Sequence, residues 1–203
     1  MLQADPARTT MFVLPDWPIW IAGILIFSPQ RTALKMWEVI IRSPKASYIY
    51  LNNPEEEKKK FYKGWMYTGD IATWDSEGYI TIAGRKDDMI ISGGENIYPP
   101  IIEEALNSHP KVDSSAVVGI PDAVRGDVVA AYIVPKDRSL TVGDLVEHCS
   151  SSDRIIAQKS PRFYRFVDEL PMTASGKLQH YRVKEMVLAD QKTGQLKLAM
   201  KKD

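Results

Sequence analysis

Three short stretches hold residue types whose spacing could do chemistry. The first is PMTASGKLQHYR, Pro171 to Arg182, where Lys177 directly follows the small tripeptide Ala174-Ser175-Gly176. A primary ammonium displayed on a flexible loop raises the question of a catalytic use. The second is YTGD, Tyr67 to Asp70. Gly69 lets the backbone turn, and the Asp70 carboxylate offers two acceptor oxygens to a pair of sugar hydroxyls, as acidic residues do in nucleotide sites. The third is GRKDDMIISGGENIYP, Gly84 to Pro99. Arg85 can donate to a ribose or phosphate through a rigid fork of N–H groups. Gly93 and Gly94 leave room for a ligand close to the backbone, and Glu95 follows them. Taken singly, each stretch is also what an ordinary surface turn looks like.

The elements that would position these residues follow from periodicity. Val39–Ile41 is a β-branched run that predicts a strand. NNPEEEKKKF predicts a short helix, with Pro54 in its first turn and acidic residues ahead of basic ones, as the helix dipole favours. GWMYTGDIATWDSEGYITIAGR alternates apolar and polar residues about Ser76-Glu77-Gly78 and predicts a β-hairpin. DDMIISGGENIYPP is a short strand broken by two glycines. Pro99 and Pro100 then open a helix with Ile101, Ile102, Ala105 and Leu106 on one face. Beyond it the pattern is α/β: strands at SSAVVGI, DVVAAYIVP and FYRFVDEL, a helix at TVGDLVEHCSS capped by Thr141, and a terminal helix at YRVKEMVLAD. The charged tail beyond Gln191 is expected to fray. The expected boundary between a strand-rich piece and the α/β piece lies at Gly84–Asp88.

Composition narrows the function classes. The chain has 203 residues, 44% apolar and 26% charged, with 26 basic and 26 acidic side chains. Zero net charge gives no support for nucleic-acid binding through a broad basic surface. The lone cysteine, Cys149, excludes an internal disulfide and suggests a cytoplasmic rather than an oxidising compartment. His109, His148 and His180 lack metal-ligand spacing, so no metal site is expected. The apolar run Met11–Phe27 contains Asp16, Pro15 and Pro18; a buried strand or helix is expected there, with a signal or membrane role as the alternative.

In this order, TGD, GRKDDMIISGGENIYPPIIEEAL and PMTASGK resemble three signature motifs of the acyl-adenylate-forming superfamily, which holds acyl-CoA synthetases, luciferases and peptide-synthetase adenylation domains. The resemblance runs from Glu38 to Leu188 and includes the lead-in IRSPKASYIYLNNPEEEKKKF. It implies an α/β fold class: an α+β lid domain with a three-stranded sheet and helices over residues 87–190, preceded over 38–86 by the β-hairpins that end a large N-terminal domain. Residues 191–203 would be a tail. It implies the conversion of a carboxylic acid, ATP and CoA into acyl-CoA, AMP and pyrophosphate, with Mg²⁺ neutralising the leaving pyrophosphate. Asp70 and Arg85 would hold the ATP ribose, and Asp87 would be the hinge. Gly93, Gly94 and Glu95 would border the pantetheine passage of CoA, and Lys177 would serve adenylation. SGGENIYP looks most like the acyl-CoA and aryl-CoA synthetases, a group that includes enzymes of fatty acid metabolism. No carrier domain is expected after Lys177, so peptide synthesis is not.

The pattern also breaks. No Ser/Thr/Gly-rich loop ending in lysine, of the kind that cradles ATP phosphates, occurs in the sequence. PDWPIWIAG, Pro15 to Gly23, resembles an aspartate–tryptophan stretch from the middle of the family's large domain. Residues 1–37 therefore read as a remnant of that domain or as unrelated sequence. Two functions stand: the C-terminal part of an acyl-CoA synthetase, inactive without an N-terminal half, or a non-catalytic binding module descended from one. Pairing with such a half, or self-association through the apolar N-terminal segment, is expected.

Overall fold

The computed structural model describes residues 22–27, 36–42, 50, 52–62, 64–74, 79–152, 159–194 and 197–198. The chain divides into two units, Met1–Asp87 and Asp88–Asp203. Most of the apolar run from Met11, the PDWPIWIAG stretch up to Ile21 and the turn at 76–78 lie outside the described residues.

The first unit holds strands β1 (Ala22–Phe27), β2 (Met36–Arg42), β3 (Phe61–Tyr62), β4 (Trp65–Trp74) and β5 (Ile80–Arg85), with helix α1 (Pro54–Lys60). They form an antiparallel sheet in the order β1-β2-β4-β3, with β5 also paired to β4. The short run expected at Val39–Ile41 is the end of a longer strand, β2. Helix α1 buries no residue. Asn53 caps it by accepting from Glu56 N–H, and ion pairs Lys58–Glu55 and Lys59–Glu56 lie along its exposed side. Caps and dipole favour it locally, and β3 follows at once. Gly69 lies in β4 with φ +77°, beside a register shift between Ile71 and Ala72. A side chain at this φ is strained, so glycine is what permits the bend at this point.

The second unit is an α/β structure around β8 (Val112–Asp122) and β9 (Gly126–Pro135). These antiparallel strands are joined by a tight turn in which Asp122 Oδ1 accepts from the N–H groups of Val124 and Arg125. Strand β10 (Phe163–Phe166) pairs with β9 in parallel and completes the three-stranded core. The sheet extends further through the hairpin of β6 (Ile90–Ser92) and β7 (Glu95–Ile97), and through β11 (Lys197–Leu198) on β10. Helix α2 (Pro99–Asn107), α3 (Val142–Ser151) and α4 (His180–Thr193) complete the unit. The expected tail is shorter than the sequence implies, because α4 continues to Thr193 and Lys197–Leu198 join the sheet.

Side-chain alternation sorts the sheet into two cores. Val129, Ala131 and Ile133 of β9 face Ile102, Leu106, Leu145 and Cys149. Val128, Ala130 and Tyr132 face Val183 and Val187 of α4. Because both faces are covered, the strand is apolar at successive positions instead of alternating. The Cys149 thiol is fully buried against Tyr164, whose hydroxyl lies 3.9 Å from Sγ. Burial pushes the Cys149 thiol above its usual range.

Helix α3 begins with a full capping box. Thr141 Oγ1 accepts from Asp144 N–H, and the Asp144 carboxylate accepts from Thr141 N–H. Thr141→Ala is therefore expected to lower unfolding free energy by about 1 kcal/mol. Leu145→Ala, which empties a fully buried position, should cost about 2–5 kcal/mol. Urea unfolding followed by circular dichroism measures both, and equal losses for the two variants would contradict this account of α3.

Candidate active site

The YTGD stretch is shaped by Thr68. Its hydroxyl donates to the Val39 carbonyl at 2.7 Å and accepts from Asp70 N–H at 3.0 Å. This fixes the bend at Gly69. Asp70 and Arg85 are register partners across β4 and β5. Arg85 NH1 donates to Asp70 Oδ1 at 2.9 Å and to the Thr68 carbonyl at 3.1 Å. Two residues separated by 15 positions in the chain thus become one ion pair. Both side chains are partly exposed, 35% for Asp70 and 47% for Arg85. Asp70 Oδ2 and the remaining guanidinium hydrogens offer acceptor and donor atoms side by side to a polar ligand. The backbone N–H of Lys86 donates to the Gly69 carbonyl at 2.7 Å. Its ammonium donates to Glu38 Oε2 of β2 at 2.8 Å, beside the Asp70–Arg85 pair.

Asp87 follows in an exposed turn. In the second unit, Gly93 and Gly94 form the two-residue turn between β6 and β7, with φ of +58° and +83°. Two consecutive positive φ values define a primed hairpin turn, which glycine accommodates without strain. A side chain at either position would meet nothing within 4 Å. The turn geometry therefore explains the glycines. Gly93 N–H donates to the Arg125 carbonyl at 2.9 Å, which sets this turn beside the β8–β9 turn. Glu95 begins β7, and its carboxylate lies 3.7 Å from Lys159 Nζ.

The lysine loop is more closely knit than its composition suggests. Thr173 N–H donates to the Lys177 carbonyl at 2.8 Å, and Gly176 N–H to the Thr173 carbonyl at 2.9 Å. Lys177 N–H donates to Thr173 Oγ1 at 3.0 Å, and a bridge joins Met172 to Leu178. Gln179 N–H closes the base on the Pro171 carbonyl at 2.9 Å. The segment is a small hairpin with an exposed Lys177 at its end. The Lys177 ammonium has no hydrogen-bonding or ionic partner among the described residues. A cation held out on a braced stem is available to an external anion.

Sequence reasoning missed Thr68, Glu103 and His180. Glu103 is buried on α2, and its Oε1 accepts from Val117 N–H at 2.7 Å and meets His180 Nε2 at 2.8 Å. The signal was present in the helical period, since Glu103 falls in the buried series with Pro99, Ile102 and Leu106. His109 and His148 pack edge to face, with ring centres 5.0 Å apart. Burial and the neighbouring His148 lower the pKa of His109. Among the described residues no three His, Cys, Asp or Glu side chains converge as a metal site. No described helix is long and apolar enough to cross a membrane.

Comparison with known proteins places these features. Residues 101–177 match the AMP-binding enzyme C-terminal domain family. The chain is 40% identical over 148 residues to a long-chain-fatty-acid–CoA ligase of Bacillus subtilis (strain 168), covering 73% of this chain and 26% of that protein. It is 38% identical over 151 residues to a 2-succinylbenzoate–CoA ligase of Geobacillus sp. (strain WCH70), covering 74% and 30%. Among solved structures, o-succinylbenzoate CoA synthetase from Bacillus subtilis, in complex with its acyl-adenylate intermediate, superimposes with a TM-score of 0.68 at 35% identity. That match covers 74% of this chain and 30% of the other. The chain thus spans less than a third of the length of these three relatives. Motif order, the α/β fold and these likenesses agree: the chain belongs to the superfamily of AMP-forming acid–thiol ligases, in the region of its C-terminal domain.

Proposed function

We propose that these residues form the lid-bearing part of an AMP-forming acyl-CoA synthetase, and that the observation carrying this reading is the exposed, unpartnered Lys177 ammonium on its closed hairpin. In the first half-reaction a carboxylate oxygen attacks the ATP α-phosphorus, the bond from that phosphorus to the α,β-bridging oxygen breaks, and pyrophosphate leaves. Negative charge gathers on the phosphate oxygens. Lys177 contacts the carboxylate and α-phosphate together and stabilises that charge. Asp70 and Arg85 hold the ribose hydroxyls. The lid then rotates about Asp87, Lys177 withdraws, and the CoA thiol reaches the acyl-adenylate past Gly93, Gly94 and Glu95. The thiol sulfur displaces AMP to give acyl-CoA. The phosphate-cradling loop, the Mg²⁺ ligands and the acid pocket come from polypeptide outside these 203 residues.

The 203 residues alone are accordingly expected to release no pyrophosphate from ATP with short, medium or aromatic acids. A transition-state contact acts only on substrate already held in place. A chimera supplies the missing parts, joining residues 38–203 to the N-terminal portion of a related CoA ligase. Pyrophosphate release should then appear, and Lys177→Ala should reduce it by about 10²-fold or more. An unchanged rate in Lys177→Ala would refute the assigned role.

Two further substitutions in the chimera separate the other roles. Asp87→Pro fixes φ at the proposed hinge. One half-reaction should fail while the other survives, read by pyrophosphate release and by thioester formation from supplied acyl-adenylate; equal loss of both would make Asp87 an ordinary turn residue. Gly69→Ala places a methyl group 3.2 Å from Lys60 Nζ and 3.3 Å from the Arg85 guanidinium, at a strained φ. The KM for ATP should rise several-fold. A KM within twofold of the parent would separate Arg85 from ribose binding.

A further inference from the structure

The Glu103 carboxylate is buried at the meeting of α2, β8 and the start of α4. A buried carboxylate is tolerated only when it is hydrogen-bonded and its charge is met. Val117 N–H on β8 supplies one hydrogen bond, and His180 supplies the other and, among the described residues, the cationic group in direct contact. His180 is the first residue of α4. Immediately before it, Gln179 N–H makes the bond to the Pro171 carbonyl that closes the Lys177 hairpin. The ion pair is therefore one residue from the base of the hairpin and three from the lysine.

We propose that His180 is a positioning residue for Lys177, clamped by Glu103 in an ion pair that weakens as the imidazole loses its proton, so that the lysine hairpin loosens with rising pH. The purpose of such positioning rests on the function proposed for Lys177, whereas the coupling itself is a property of this fold.

The groups facing His180 are Glu103 from α2 and Asp88 from the segment before β6. On its own helix the neighbouring charges are Arg182, Lys184 and Glu185, all exposed. Two effects oppose a charged imidazole: burial, and the positive end of the α4 dipole. The Glu103 hydrogen bond outweighs burial, with smaller help from the Glu103 and Asp88 charges, and the His180 pKa is raised above its ordinary 6.5. A group whose pKa is raised by folding stabilises fully below its unfolded value, and loses that contribution as pH climbs through the folded value. The window thus opens near 6.5 and closes above the raised folded pKa. Neutral histidine can still donate from Nε2, so the clamp weakens without breaking; charge-assisted hydrogen bonds are roughly twice as strong as neutral ones.

The test uses the chain itself and needs no ATP. NMR follows the His180 imidazole and the exchange of the Lys177 and Gln179 amides from pH 5.5 to 8.5, in wild type, His180→Gln and Glu103→Gln. After correction for intrinsic exchange, opening of these amides in wild type should rise about three- to tenfold, with a midpoint that tracks His180. The rise should vanish in His180→Gln. In Glu103→Gln the His180 midpoint should fall; if that variant does not fold, His180→Gln carries the test alone. Opening that is flat across the His180 titration, or that rises equally in His180→Gln, overturns the proposal. The pyrophosphate assay with Lys177→Ala judges the lysine's role separately, so either idea can fail while the other stands.

Discussion

Strands β8 and β9 are buried on both faces, and the architecture of the second unit follows from that constraint. Ala116, Val118 and Ile120 look one way and Val117 the other, and β9 repeats the division from Val128 to Ile133. A strand pair this apolar needs cover on two sides. Helices α2 and α3 belong to one core and α4 to the other. Once α4 must lie on its own face, the chain leaving β10 has to cross to that side before the helix begins. The Lys177 hairpin lies within that crossing, between Pro171 and Gln179. The place of the lysine is thus tied to the same burial that stabilises the sheet.

Helix α4 is held toward both ends by side chains and not only by its apolar face. At the start His180 meets Glu103. Near the end Asp190 accepts from the hydroxyl of buried Tyr132 and pairs with Arg165. Burial raises the Tyr132 pKa, and the adjacent carboxylate adds to the effect, so the phenol stays protonated and remains a donor. The apolar stripe of α4 is thin, with Val183 and Val187 as its buried residues. Polar ties at both ends supply the registration that two valines would leave loose.

Much of this was readable from the chain, and the rest was not, for identifiable reasons. Local signals spoke clearly: Pro99 and Pro100 at the start of α2, Thr141 and Asp144 as a capping box, and the unbroken apolar run of β9. Strand pairing was less legible, because register depends on partners far along the chain. The meeting of Asp70 with Arg85 is a matter of hairpin register, which the motifs alone do not encode. The lysine loop looked slack because Ala, Ser and Gly are small, yet Thr173 closes it by bonding in both directions. Glu103 was passed over because a carboxylate is expected at the surface. Its position in the helical period, set against its charge, was the clue that a partner must lie opposite.

The buried Cys149 has a consequence for how the unit behaves in solution. It is the only thiol in the sequence, it is fully enclosed, and burial holds its proton on. An alkylating reagent can reach the sulfur only when the packing between α3 and β10 parts. The rate of thiol modification is therefore a clock for that opening, set by the protein without any introduced label. Because Tyr164 covers the same sulfur, the clock reads the separation of helix from sheet and is indifferent to fraying at the chain ends. Where closing is faster than alkylation a single rate reports the open fraction, and where it is slower the open and closed units label at two rates.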